Sequence, residues 1–118
     1  MYEAIKAVVV VVMLVIGQTL WKLGLRRVGE FDINEFSKIL SLLINPFIIV
    51  GIILYGFATI LWLSVLSKNE LSYIFPIMSL SYVLVLIPSY FIFREDISIS
   101  RLVAIFVIMI GVALLIKS

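Results

Sequence analysis

The sequence predicts an all-α fold, a polytopic membrane protein of four transmembrane helices working as a dimer. Three observations predict it. Hydrophobic residues make up 64% of the 118 residues and charged residues 14%, against about 45–50% and about 25% in an average soluble chain. Mean hydropathy is +1.31, more apolar character than a soluble domain of this size can bury. The charges are not scattered, and they leave uncharged runs at residues 7–21, 39–67, 71–93 and 102–116. A hydrocarbon core takes about 20 apolar residues to cross, with a range of about 17–25. With no water to satisfy the backbone, each crossing must be helical.

The first helix is placed near residues 4–25. Its uncharged run is extended by Lys6 and Lys22, whose stems reach the interface. No small-x-small cleavage site follows, so the stretch reads as a retained span and not a signal peptide. Residues 34–43 read as a short amphipathic helix on the membrane surface, with Phe36, Ile39, Leu40 and Leu43 on its apolar face. The second span lies near 46–67, opened by Asn45 as N-cap and Pro46 at the first helical position. Ser67-Lys68-Asn69-Glu70 is a tight polar turn into a third span near 71–93. Arg94-Glu95-Asp96, with Ser98 or Ser100 as cap, leads into a fourth near 99–117. Short turns imply antiparallel neighbours, and residues 1–118 read as one domain.

Lysine and arginine counts set the expected orientation. The first and third loops carry Lys22, Arg26, Arg27, Lys38, Arg94 and Arg101, six in all, against Lys6, Lys68 and Lys117 elsewhere. This places the two basic loops in the cytoplasm and both termini outside a cytoplasmic (inner) cell membrane. The imbalance argues against random dual insertion.

Composition removes several function classes. A soluble enzyme and a nucleic-acid binder do not fit this hydropathy. The chain has no cysteine and no histidine, so disulfides, thiolate or imidazole metal sites and Ser-His catalysis lack their residues. No metal, cofactor or catalytic residue is expected. All seven acids, Glu3, Glu30, Asp32, Glu35, Glu70, Glu95 and Asp96, fall at ends or in loops. Proton-driven transporters normally use an intramembrane ionisable group, and a lipophilic-cation site wants an acid in a dry cavity.

Polar residues inside the spans are the candidates that remain. Gln18 and Lys22, four apart, share a face of the first helix, beside Gly17, Trp21 and Gly24, where another backbone can approach. Gln18 reads as a ligand group or an interhelical hydrogen bond. Lys22 reads as a snorkelling anchor or as a cation meeting an anionic head group, with Arg26 and Arg27 as a phosphate-attracting flank or an ordinary basic one. The third span is the most polar. It holds Ser79, Ser81 and Tyr82, and Pro76 and Pro88, which kink or loosen it. Met78, Tyr82, Val85 and Ser89 share one of its faces. Trp62 in the second span stacks on a sugar or packs. Ala104 and Gly111, seven apart on the otherwise apolar fourth helix, form a candidate dimer seam.

These residues carry a resemblance. The whole chain resembles a four-helix member of the drug/metabolite transporter superfamily (small multidrug resistance-like, EamA-like). Residues 15–22, Val-Ile-Gly-Gln-Thr-Leu-Trp-Lys, are similar to the first helix of the small multidrug resistance exporters. Those exporters carry an essential glutamate three residues before the glycine, and Leu14 stands there here. A nearer resemblance is to the small subunits of the 4-amino-4-deoxy-L-arabinose-phosphoundecaprenol flippase. It rests on Gly17, Gln18 and Lys22, on residues 61–66 and 75–82, and on the turn Glu95-Asp96-Ile97-Ser98. That resemblance implies movement of a polyprenyl-phosphate sugar or similar anionic amphiphile between leaflets, without ATP hydrolysis by this chain. Lys22 would then face the phosphate, and Gln18, Ser79, Ser81, Tyr82 and Trp62 the sugar. The expected partners are membrane lipids, the lipid-linked substrate, and a second copy or a similar four-helix subunit. The alternative is a small-metabolite or drug carrier whose partner supplies the missing acid.

Overall fold

Four apolar helical spans, Ala4–Val28, Pro46–Lys68, Leu71–Phe91 and Ile99–Lys117, are long enough to cross a bilayer in the computed structural model, which describes residues 2–117. They are built from α1 (Tyr2–Val28), α3 (Pro46–Lys68), a broken third span and α7 (Ile99–Lys117), with a short α2 (Phe36–Leu43) between the first two. No strand occurs among the described residues. The protein is a multi-pass membrane protein.

The first helix ends where Gly29 takes a left-handed conformation, φ +82°, and returns its N–H to the Leu25 carbonyl at 2.7 Å, a glycine C-cap. Arg26 and Arg27 lie in its last turn, facing the negative dipole end. Asn45 caps α3, its Oδ1 accepting the Phe47 N–H at 2.9 Å. Its Nδ2 donates to the Gly24 carbonyl at 3.4 Å, which ties the start of α3 to the end of α1. Phe36, Leu40 and Leu43 of α2 remain exposed, the disposition of a helix lying on a lipid surface.

The third span departs from a single helix over 71–93. It runs as α4 (Leu71–Ile74), a 3-10 segment (Phe75–Ser79), α5 (Leu80–Leu84) and α6 (Leu86–Phe91). Both breaks trace to proline. Pro76 has no N–H for the carbonyl of Ser72, and the turn tightens around it. Pro88 would press its ring on the carbonyl of Leu84, where α5 ends. After α6, Ile92 and Phe93 both donate to the Pro88 carbonyl at 2.9 and 3.0 Å, and Arg94 turns left-handed at φ 51°. Ser98, not Ser100, takes the cap before α7, its Oγ accepting the Arg101 N–H at 3.2 Å.

Packing centres on α1 against α3. A Cβ added to Gly51 would stand 2.5 Å from the Trp21 ring and 3.0 Å from the Gly17 carbonyl oxygen, so glycine is what lets the two backbones meet. Trp21 stacks on Tyr55 at 4.9 Å and donates to the Ile48 carbonyl at 3.2 Å. At the opposite end, beside the turn at residues 68–70, Ala7, Val65, Ile74 and Ile77 form a fully buried cluster. By contrast, α7 buries only Val112.

Candidate functional site: a polar cleft and a cationic clamp

Within the spans, α1, α3 and the broken third span enclose a cleft of about 410 Å³. Gln18 and Leu14 enter from α1, Tyr55 from α3, and Phe75, Met78, Ser79, Ser81, Tyr82 and Val85 from the third span. The break creates this wall. A straight α-helix would hold Ser79 and Ser81 about 200° apart, whereas the junction of 3-10 and α geometry brings both, with Tyr82, onto one cleft. Gln18 and Tyr82 are exposed to it, and Ser79 and Ser81 are half-buried. Ser89 lies outside the cleft, its carbonyl taking the Glu95 N–H at 2.9 Å. Every polar group in the lining is uncharged, and Leu14 presents only hydrocarbon.

Lys22 shares the α1 face with Gln18 but does not line the cleft. It meets Glu95, Nζ to Oε2 at 2.7 Å, and stands 5.3 Å from the Phe93 ring centroid. Arg26 lies over the same ring at 4.7 Å and donates to the Ile92 carbonyl at 2.9 Å. The two cations clamp the segment after α6 onto α1. Arg27 turns away, 5.9 Å from the Phe47 ring on α3, so the basic flank divides. Lys22 and Arg26 open into a groove of about 700 Å³ that also holds Glu30, Asp32 and Glu35. Glu35 is bound by Lys38 at 3.0 Å. The hydrogen bond from Lys22 first, and then its charge, hold the Glu95 carboxyl below the usual glutamate range, with desolvation opposing them and Arg101 adding the smallest pull in the same direction.

A third groove, about 440 Å³ and apolar, runs between α1 and α6, lined by Val12, Ile16, Leu20, Leu84, Ile87 and Phe91 among others. Val15 belongs to both this groove and the polar cleft. Trp62 stands apart from all three. It packs against the buried cluster and meets Phe75 edge-on at 6.3 Å. Ala104 and Gly111 on α7 are exposed, and nothing lies within 4 Å of a Cβ built on Gly111. Among the described residues, no group of three or more acids is placed to hold a metal.

Tyr55 and Glu95 are the site residues that sequence reasoning missed. A phenol in mid-span needs a polar neighbour as Gln18 does, and that was the available signal for Tyr55. Glu95 meets Lys22 across 73 residues of sequence, where no local spacing points to it.

No family model and no solved structure matches the chain. Curated relatives do. A protein of Aeromonas hydrophila subsp. hydrophila, named probable 4-amino-4-deoxy-L-arabinose-phosphoundecaprenol flippase subunit ArnE, is 30% identical over 99 residues, 84% of this chain and 83% of that one. Proteins of the same name from Aeromonas salmonicida and Proteus mirabilis are 36% and 31% identical. Those matches cover 62% and 58% of this chain, and 64% and 60% of the relatives. At this identity and coverage the chain belongs to the family of ArnE-type flippase subunits.

Proposed function

We propose that this chain is a subunit of a flippase that carries an anionic polyprenyl-phosphate sugar across the inner membrane. The observation that carries the reading is the cleft inside the spans, whose polar lining is entirely neutral while two cations stand beyond its end. Amide, hydroxyl and phenol groups suit a sugar. Gln18, Ser79, Ser81 and Tyr82 bind the sugar, with Tyr55 beside them, and Lys22 and Arg26 receive the phosphate. Trp62 supports the Phe75 wall from behind. The isoprenoid tail stays in lipid along the apolar groove that shares Val15 with the cleft.

No bond is made or broken in such a movement, so the chain needs no catalytic residue and no cofactor. Alternating access arises between repeats or subunits, and the reading requires a second four-span subunit, a copy or a similar chain, seated on α7 at Ala104 and Gly111. Both termini face outward, with the clamp at the cytoplasmic mouth. The carrier of cationic drugs is disfavoured by Leu14, which lines the cleft without a charge.

Binding to the purified chain in nanodiscs tests this. The comparison is a polyprenyl-phosphate sugar against a lipophilic cation of similar apolar area, for wild type, Gln18→Ala and Lys22→Ala. Selective binding of the anionic lipid, weakened in both variants, supports the reading. Preference for the cation, indifferent to Lys22, overturns it.

A further inference from the structure

We propose that Glu95 is a place-holder for the substrate phosphate: its carboxylate occupies the position on Lys22 Nζ that the lipid phosphate takes, and binding displaces it. The inference rests on the flippase reading, in which Lys22 receives the phosphate, and adds a residue that competes with the phosphate for Lys22.

The geometry is that of one oxyanion seated where another belongs. A lysine ammonium carries three donors and no acceptor, and its charge-assisted contact at 2.7 Å is taken by Glu95. Carboxylate and phosphate oxygens compete for such a cation with the same chemistry. The contact is open, with side-chain exposures of 56% for Lys22 and 35% for Glu95. Exposed pairs of this kind hold weakly, so an incoming phosphate has little to overcome.

Displacement requires only that the Glu95 side chain turn away from Lys22, with the backbone of its segment staying in place. Arg94 holds a left-handed conformation, φ 51°, which a side chain beyond glycine adopts at a cost. Contacts from α1 help hold the segment after α6, residues 92–95, in place: Lys22 on Glu95, Arg26 on the Ile92 carbonyl, and both cations against Phe93. When Glu95 leaves, Lys22 and Arg26 remain side by side on the Phe93 ring, a ready pair for a phosphate. A neutral polyprenol offers no oxyanion to exchange.

The test uses the full chain in nanodiscs, with undecaprenyl phosphate and undecaprenol as probes. Glu95→Gln should bind the phosphate up to about fivefold more tightly, the yield of removing an exposed competing pair. Lys22→Ala should bind it more weakly, and in that background Glu95→Gln should add nothing, because Glu95 acts through Lys22. Undecaprenol binding should be equal in all four proteins, which shows that they are folded. If Glu95→Gln weakens or leaves unchanged a binding that does require Lys22, Glu95 is a structural latch and the place-holder is overturned while the flippase reading stands. An equal gain with and without Lys22 would mean that Glu95 repels anions at a distance, and also overturns it. If wild type does not prefer the phosphate over the polyprenol, the flippase reading itself fails and takes this inference with it.

Discussion

Gly51 and Gly56 differ by five positions on α3 and by everything in their surroundings. A Cβ on Gly51 meets the Trp21 ring at 2.5 Å, whereas one on Gly56 meets nothing within 4 Å. Gly51→Ala must push Trp21 off Tyr55 and off the Ile48 carbonyl, an overpacking that costs about 1–3 kcal/mol. Thermal melting should show a clear fall for Gly51→Ala and none for Gly56→Ala, which gains helix propensity; equal melting temperatures would contradict the packing described. Glu95 supplies the pH counterpart. Its carboxyl is held down by Lys22 first, with Arg101 adding to the effect. The ion pair is fully formed above the ordinary glutamate range and is lost only as pH falls through the lowered value. An NMR titration should place Glu95 below a peptide glutamate, and Lys22→Ala should move it back up. At this scale the sequence was legible where a residue acts locally. Gln18 stands out as an amide in hydrocarbon, and Asn45-Pro46 reads as a helix start. Trp62 was open between stacking on sugar and packing, because a tryptophan in a span satisfies both until its neighbours are known.

Among the elements, the third span shows what prolines can and cannot announce. Pro76 and Pro88 are plain in the sequence, and both breaks follow from them. That the first break becomes a 3-10 segment, and so gathers Ser79, Ser81 and Tyr82 onto one cleft, depends on packing against α1 and α7. The turn after Phe91 was hidden for another reason: its left-handed residue is Arg94, with no glycine or asparagine to signal it. Pro88→Ala would restore an N–H for the Leu84 carbonyl and join α5 to α6. Hydrogen exchange near residues 85–89 should then slow by about fivefold, the effect of one added hydrogen bond of about 1 kcal/mol. Unchanged exchange would mean that tertiary packing, not Pro88, holds the break open.

For the whole molecule, the number of spans and their antiparallel order were legible because charges and turns divide the chain plainly. How the spans meet was not, since lipid tails are as apolar as leucine and hydrophobicity gives no direction between helices. Gly111 on the exposed α7 offers a sharp test of a partner. The chain has no cysteine, so Gly111→Cys introduces a single thiol. If α7 is the subunit seam, mild oxidation in membranes should give a cross-linked dimer, or a cross-link to a co-expressed partner carrying a matching cysteine. A cysteine at Val50, exposed on α3, should give neither. Cross-linking at Val50 and not at Gly111 would move the seam to another face.

The most direct measurement is photolabelling of the full chain in nanodiscs by a polyprenyl-phosphate sugar with a photoreactive group on the sugar, followed by peptide mapping. Labelling of the Gln18 and Ser79–Tyr82 peptides, removed by excess unlabelled lipid and by Lys22→Ala, is the expected result. Labelling confined to α2 or α7, or unaffected by competitor, would contradict the cleft as the path of the head group.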